Sequence, residues 1–275
     1  MQETKRNVTN ENDLQKIKEL RLMDDDFFSE ALDGKTVAVE YILNTVLERD
    51  DIKEKSTKAQ VEYKSATKRS IKLDIQAEDV NGRLMDIEIQ RSDRGSGVRR
   101  ARFHSSMIDR SLLSKGDDFE DLVDTYVIFI TEKDKFGMGI PLYHIERKIS
   151  EMDNALFGDG AHILYVNGEY RNLEHPVGSL MHDFNCKDAK DMVNPLLAEE
   201  VRYLKETEGG RSQMSRILEE MRNEAAEKAK AEGNHEKAVN TALKMIAKKY
   251  EAEEIAEITG LSLEEVRKLE ENQKG

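Results

Sequence analysis

Residues 72–90 constrain this chain more than any other stretch. Lys72-Leu73-Asp74-Ile75-Gln76-Ala77-Glu78-Asp79 and Arg83-Leu84-Met85-Asp86-Ile87-Glu88-Ile89-Gln90 alternate polar and apolar residues around Val80-Asn81-Gly82. Period-two alternation broken by Asn-Gly is the pattern of a β-hairpin. Strand residues two apart share a face. Asp86, Glu88 and Gln90 therefore line one side of the second strand, with Ile87 and Ile89 on the other. On the first strand Lys72, Asp74 and Gln76 oppose Ile71, Leu73 and Ile75. A two-residue Asn81-Gly82 turn sets Asp74 opposite Ile89, a charge against a core residue. A three-residue loop with Gly82 in the left-handed position pairs Asp79 with Arg83, Asp74 with Glu88, Gln76 with Asp86 and Lys72 with Gln90. That register matches polar with polar and is preferred.

Directly opposed carboxylates lie about 5 Å apart at Cβ and repel. A divalent cation reverses the sign of that interaction, and Mg²⁺ is suited by one or two carboxylates plus water and phosphate oxygens. The same spacing also describes an amphipathic hairpin whose polar face meets solvent, and spacing does not choose between the two.

The flanking text supplies a framework. Asp24 to Leu47 reads as helix interrupted at Gly34, and residues 59–66 as a weak strand. Arg99–Ser114 reads as helix, Tyr126–Thr131 as a strand buried on both faces, and Tyr143–Ile145 and His162–Val166 as short strands. The order α-β-β-β-α-β predicts an α/β fold with a mixed sheet flanked by helices. Beyond Pro195 the residues are almost continuous helix formers, so a domain over 1–195 and a helical C-terminal extension over 196–275 are expected. The extension ends in a helix-turn-helix-like hairpin, with Gly260 at the turn and Ser262 and Glu265 as a capping box. Its last helix is rich in glutamate, which favours packing or self-association over DNA reading.

The net charge of the 275 residues is −13, which argues against non-specific nucleic-acid binding by bulk electrostatics. Residues 91–115 run against that balance, with Arg91, Arg94, Arg99, Arg100, Arg102, Arg110 and Lys115 opposed only by Asp93 and Asp109. A solvated helix face and a phosphate-contacting surface both fit. One cysteine, Cys186, excludes an intrachain disulfide framework. The polar N-terminus has no apolar core of a signal peptide, and no apolar run approaches a membrane span, so a cytoplasmic location without membrane partners is expected. Arg94-Gly95-Ser96-Gly97 reads as a flexible turn without the Gly-Lys-Ser/Thr ending of a phosphate-binding loop, and the chain has no His-Glu-x-x-His and no Gly-x-Ser-x-Gly elbow.

The ordered series Met23-Asp24-Asp25-Asp26-Phe27-Phe28, Leu73-Asp74-Ile75-Gln76-Ala77, Gly82-Arg83, Asp86-Ile87-Glu88-Ile89-Gln90, Arg100-Ala101-Arg102-Phe103-His104 and Tyr126–Ile130 resembles the PD-(D/E)XK nuclease family transposase group, related to the recombination-promoting nucleases. The resemblance covers roughly residues 20–150. It implies a restriction-endonuclease-like core and metal-dependent DNA cleavage. Asp74 and Glu88 would hold Mg²⁺, or Mn²⁺ in its place, with the Ile89 carbonyl as a further ligand and Glu40 as the acid from the first helix. The superfamily's usual lysine is Gln90 here, which can position a water but carries no charge. Lys72, opposite Gln90 in the preferred register, would supply the ammonium. Arg99, Arg100 and Arg102 would contact DNA phosphates, while Asp24 to Asp26 would cap the first helix. A recombination role and a homo-oligomer formed through the helical extension complete this expectation. The alternatives are a catalytically silent nuclease fold that binds DNA or protein, and a nuclease acting on RNA.

Overall fold

The computed structural model describes residues 11–64, 70–91 and 97–274. Helix α1 (Glu11–Glu19) is followed by α2 (Asp25–Leu32) and α3 (Thr36–Val46). The break between α2 and α3 falls at Gly34, whose φ of +68° is open to glycine at little cost. Strands β1 (Glu54–Tyr63), β2 (Ile71–Asp79) and β3 (Leu84–Gln90) form an antiparallel meander. Helix α4 (Val98–Leu112) then crosses over to β4 (Thr125–Thr131), which lies parallel to β3. Strand β5 (Leu142–Ile145) and the two-residue strands β6 (Lys148–Ile149) and β7 (Ala155–Leu156) precede β8 (Ala161–Asn167). The main sheet has six strands in the order β1-β2-β3-β4-β8-β5, and β6 pairs with β7 in a separate ribbon. The expected mixed sheet is present. The first strand begins earlier than its weak alternation suggested, and residues 65 and 66 of that stretch lie outside the described residues.

The hairpin takes the three-residue register. Ile75 pairs with Ile87, Gln76 with Asp86 and Glu78 with Leu84. Gly82 has φ +82° and its amide donates to the Asp79 carbonyl at 3.0 Å. Asp79 organises the loop further, since its carboxylate accepts from the Asn81 amide, the Arg83 amide and Arg83 Nε at 2.9, 2.9 and 2.7 Å.

The polar face of the hairpin is not open to solvent. Helix α4 lies over it, and Ala101, Met107 and Ile108 pack with Ile71, Leu73, Leu84, Val127, Phe129, Tyr143 and Tyr165. Ile87, Ile89, Ile128 and Ile130 alternate with these strand residues and are buried as fully. Helices α2 and α3 pack on β1, and α2 also on β2 and β3. Two more helices, α5 (Pro176–Asn185) and α6 (Pro195–Glu206), complete this layer. Helix α6 starts on Asn194, whose side chain accepts from the Leu196 and Leu197 amides, and it buries Leu197, Ala198, Val201 and Leu204. The buried Asp183 of α5 accepts the Val193 and Asn194 amides at 2.7 Å each, which ties the start of α6 to α5.

The chain divides into two compact units, Met1–Ser215 and Arg216–Gly275. The division lies beyond the expected 195/196 boundary, because the apolar stripe of α6 is buried in the first unit although its composition matches the helical tail. Helix α7 (Glu208–Ala247) runs from the first unit into the second, where α8 (Ala252–Thr259) and α9 (Leu263–Lys274) follow. Ala242, Ile255, Leu261 and Val266 form the small core of the second unit. The turn residue Gly260 has φ +72°, and the capping box is present: Ser262 N donates to Glu265 Oε2 at 2.9 Å and Glu265 N to Ser262 Oγ at 3.3 Å. Among the described residues, no helix is long and apolar enough to cross a membrane.

Candidate active site

Strand β3 carries its acids under the first turns of α4. The β2–β3 ladder stops at Ile75–Ile87. Past that point side chains take over from backbone pairing: Asp74 N donates to Glu88 Oε1 at 3.2 Å, and Ile89 N donates to Asp74 Oδ2 at 2.8 Å. Each carboxylate thus holds the other's strand where the ladder lapses. Opposite Asp74 on β1, Gln60 has φ +55°, and its Nε2 donates to Ser29 Oγ, whose hydroxyl donates to the Asp74 carbonyl at 3.3 Å. Asp25, exposed in the first turn of α2, lies beside the Asp74 carboxyl and favours its protonated form. Three acids from α2, β2 and β3 converge.

A second layer lies behind Glu88. His104 Nδ1 is 3.0 Å from Asp86 Oδ2 and 3.8 Å from Glu88 Oε1. Arg100 Nε donates to His104 Nε2 at 3.2 Å, so the ring proton sits on Nδ1, facing Asp86. The same guanidinium donates from Nη2 to Glu88 Oε2 at 2.9 Å and from Nη1 to Gln90 Oε1 at 3.4 Å. Asp86 and Glu88 have no exposed surface, and His104 is 2% exposed.

Burial sets the electrostatics. It pushes Asp74 well above the usual carboxylate range, and the Glu88 charge and then Asp25 add to the effect. Burial also raises Glu88, with Asp86 adding to it, while His104 and Arg100 pull the other way. Asp86 is pushed up to about 8 by burial. Taking ionised carboxyls out of water is costly unless a cation or hydrogen bonds offset it. Asp86, Glu88 and His104 bring their ligand atoms together, but both imidazole nitrogens are engaged, by Asp86 and by Arg100. Asp86 Oδ1 is buried without a hydrogen-bond partner among the described residues. The carboxylate oxygens of Glu88 and of Asp74 beside it are the hard donors a divalent metal ion takes.

The model of the PD-(D/E)XK nuclease family transposases matches residues 25–175, more than half of the chain. The chain belongs to this family. Searches of the curated proteins and of the solved structures find no match for it. The match begins at Asp25 and takes in β2, β3, α4 and every residue of the acid cluster. A nuclease-like or transposase function follows at that level, with DNA as the substrate implied by a nuclease family and a divalent metal as its typical cofactor.

Within the family framework the expected site residues separate. Asp74, Glu88 and Gln90 come together. Glu40 does not join them: its Oε1 accepts from Lys53 at 2.7 Å and its Oε2 from the Glu54 amide at 3.2 Å, at the start of β1. The helix acid beside Asp74 is Asp25 of α2. Asp24 does stand at the N-cap of α2, but its carboxylate accepts from the Arg21 amide and from Arg91 Nη1, both at 2.7 Å, and makes no side-chain cap. Lys72 is exposed and its cross-strand neighbour is Glu62 on β1, because the β2–β3 ladder ends before reaching Gln90. Arg100 turns inward to the acids, whereas Arg99 and Arg102 are exposed on α4. Arg94 and Asp93 lie outside the described residues.

His104 carried a signal only through its place in the Arg100–His104 motif. Its partnership with Asp86 needs the fold. A second set of potential ligands, His182, Asp183 and Cys186, is less suited to a metal. Both Asp183 oxygens already accept backbone amides, and burial pushes the Cys186 thiol up to about 11.

Proposed function

We propose that this protein is a Mg²⁺-dependent DNA endonuclease whose metal is held by Asp74, Glu88 and the Ile89 carbonyl, with Asp25 at the mouth of the site. The observation that carries this reading is the convergence of Asp25, Asp74 and Glu88 from three elements, where Glu88 accepts from Asp74 N and Asp74 accepts from Ile89 N. When bound, the metal supplies an activated water and neutralises charge on the phosphodiester. The chain's own groups do the positioning. Glu88 is kept in one rotamer by Asp74 N and Arg100. Gln90 gives its carbonyl oxygen to Arg100, which leaves its amide nitrogen to orient a water. Arg99 and Arg102, exposed on α4, contact backbone phosphates and register the duplex. Mn²⁺ is expected to substitute. The family description supports a recombination or mobile-element role, and the helical extension is proposed to join two copies of the chain in the cytoplasm, a stoichiometry that light scattering reads directly.

Plasmid nicking by purified protein in Mg²⁺, Mn²⁺ or EDTA tests the reading. Cleavage is expected only with metal, and Asp74→Ala and Glu88→Ala are each expected to lose at least about a thousandfold, the scale of several kcal/mol. Equal cleavage by wild type and Glu88→Ala overturns the site. One observation favours a silent nuclease fold instead: Arg100 already neutralises Glu88 at 2.9 Å. Tight DNA binding without nicking in any metal is the outcome that reading requires.

A further inference from the structure

Arg100 is held on several sides at once. Its Nη2 meets Glu88, its Nη1 meets Gln90, its Nε meets His104, and the guanidinium lies 5.9 Å from the centre of the Phe129 ring. Phe129 pairs with Glu88 in the β3–β4 ladder, so ring and carboxylate are fixed by one register. His104 is itself fixed by Asp86 behind it. Asp86–His104 thus acts as a buried bracket that aims the guanidinium at the acids. A structural ion pair alone does not need this much orientation, and Gln90 adds no charge to the site.

We infer that Arg100 is a catalytic cation of this site, aimed by the Asp86–His104 bracket, and that it exchanges Glu88 for the scissile phosphate when a divalent metal takes the Glu88 oxygens. The inference rests on the nuclease reading. In hydrolysis the water oxygen adds to phosphorus and the bond to the leaving sugar oxygen breaks. One water proton ends on that oxygen and the other in solvent. Negative charge gathers on the non-bridging oxygens as this happens, and a guanidinium fork matches two of them. The Arg100 side chain is 38% exposed, so it can turn from Glu88 toward a bound strand, while Asp86 and His104 stay buried as positioning residues.

The arrangement has a signature with opposite signs in two measurements. Arg100 competes with metal for Glu88 Oε2, so Arg100→Ala is expected to bind Mn²⁺ several-fold more tightly by calorimetry. The same variant is expected to cleave a duplex about 100-fold more slowly in single turnovers at saturating metal, the scale seen when one oriented donor is removed. Arg100→Lys keeps the charge and is expected to stay within about tenfold of wild type, since it loses only the fork geometry. His104→Gln is expected to slow cleavage in the wild-type background and to add nothing in the Arg100→Ala background, because it acts through Arg100. Melting temperatures of all variants report folding separately. Weaker Mn²⁺ binding by Arg100→Ala, or cleavage at the wild-type rate, overturns the role of Arg100 while leaving the nuclease standing. A wild type that cleaves in none of the metals overturns the nuclease reading, and the catalytic role of Arg100 with it.

Discussion

Asp74, Asp86 and Glu88 share a small buried volume, and each is shifted in the direction that favours its protonated form. Their unfolded-state values lie near 4. Between pH 4 and about 8 the folded chain therefore holds more protons than the unfolded one, so stability falls as pH rises through that window. The metal-free protein is expected to melt at progressively lower temperature from pH 5.5 to 8, and Mg²⁺ is expected to remove much of the decline by binding the ionised acids. A flat metal-free profile would mean these carboxyls are already neutralised. Glu54 makes the same argument away from the site. Both its carboxylate oxygens are shielded without a hydrogen-bond partner among the described residues, and burial, then the Asp79 and Glu40 charges, push it up to about 7. Glu54→Gln is expected to stabilise the protein at pH 8 by on the order of 1 kcal/mol after solvent screening, and to change little at pH 5.5. Denaturant melts at the two pH values decide it.

The β2–β3 hairpin shows what local sequence encodes and what it leaves open. Alternation and Val80-Asn81-Gly82 were enough to give the register, since only one loop length matches polar with polar. Gly82 is the residue that makes this loop cheap. At φ +82° a side chain strains the backbone, although a Cβ there would meet only Val123 at an ordinary 3.8 Å. Gly82→Val is expected to cost about 1–2 kcal/mol in urea unfolding, and Gly82→Asn clearly less. Equal losses would shift the cause from backbone conformation to the side chain itself. The alternation misled in two respects: it suggested a polar face turned to solvent, and it set Ile71 and Leu73 on the face away from the acids, whereas they pack in the cluster under α4. Helix α4 covers that face, and nothing within residues 72–90 signals a helix that arrives from residues 98–112. Asp25 was legible as a helix-capping acid but not as a partner of Asp74, because that contact joins α2 to β2 through the fold. Glu40 failed as a candidate for the same reason: its helical setting was readable, but its contact with Lys53 and the Glu54 amide was not. Strands β6 and β7, two residues each, are too short for any period to show.

At the scale of the molecule, composition and packing disagree about where the nuclease unit ends. Composition changes at Pro195, where proline and aromatic residues thin out. Packing carries the first unit to Ser215. Leu197, Val201 and Leu204 of α6 are almost fully buried, and burying three such side chains is worth roughly 5–9 kcal/mol. A typical domain has only about 5–15 kcal/mol of net stability. Lys205 adds a polar fastening from the same helix, its Nζ donating to the carbonyls of Lys18, Leu20 and Lys187 around the end of α1. In the first turns of α7, Met214 is buried and Gln213 donates to Glu30 of α2, the helix that carries Asp25. We therefore propose that the independently folding nuclease unit comprises residues 1–215. A chain ending at Ser215 is expected to unfold in a single cooperative transition and to retain metal-dependent stabilisation. One ending at Asn194 is expected to lack a cooperative melt, because its loss is comparable with the net stability of a typical domain. Calorimetry of the two truncations, with and without Mg²⁺, makes the comparison. Should the shorter chain melt at the same temperature as the longer, α6 would belong to the tail after all, and the acids of the site would not depend on it for their positions.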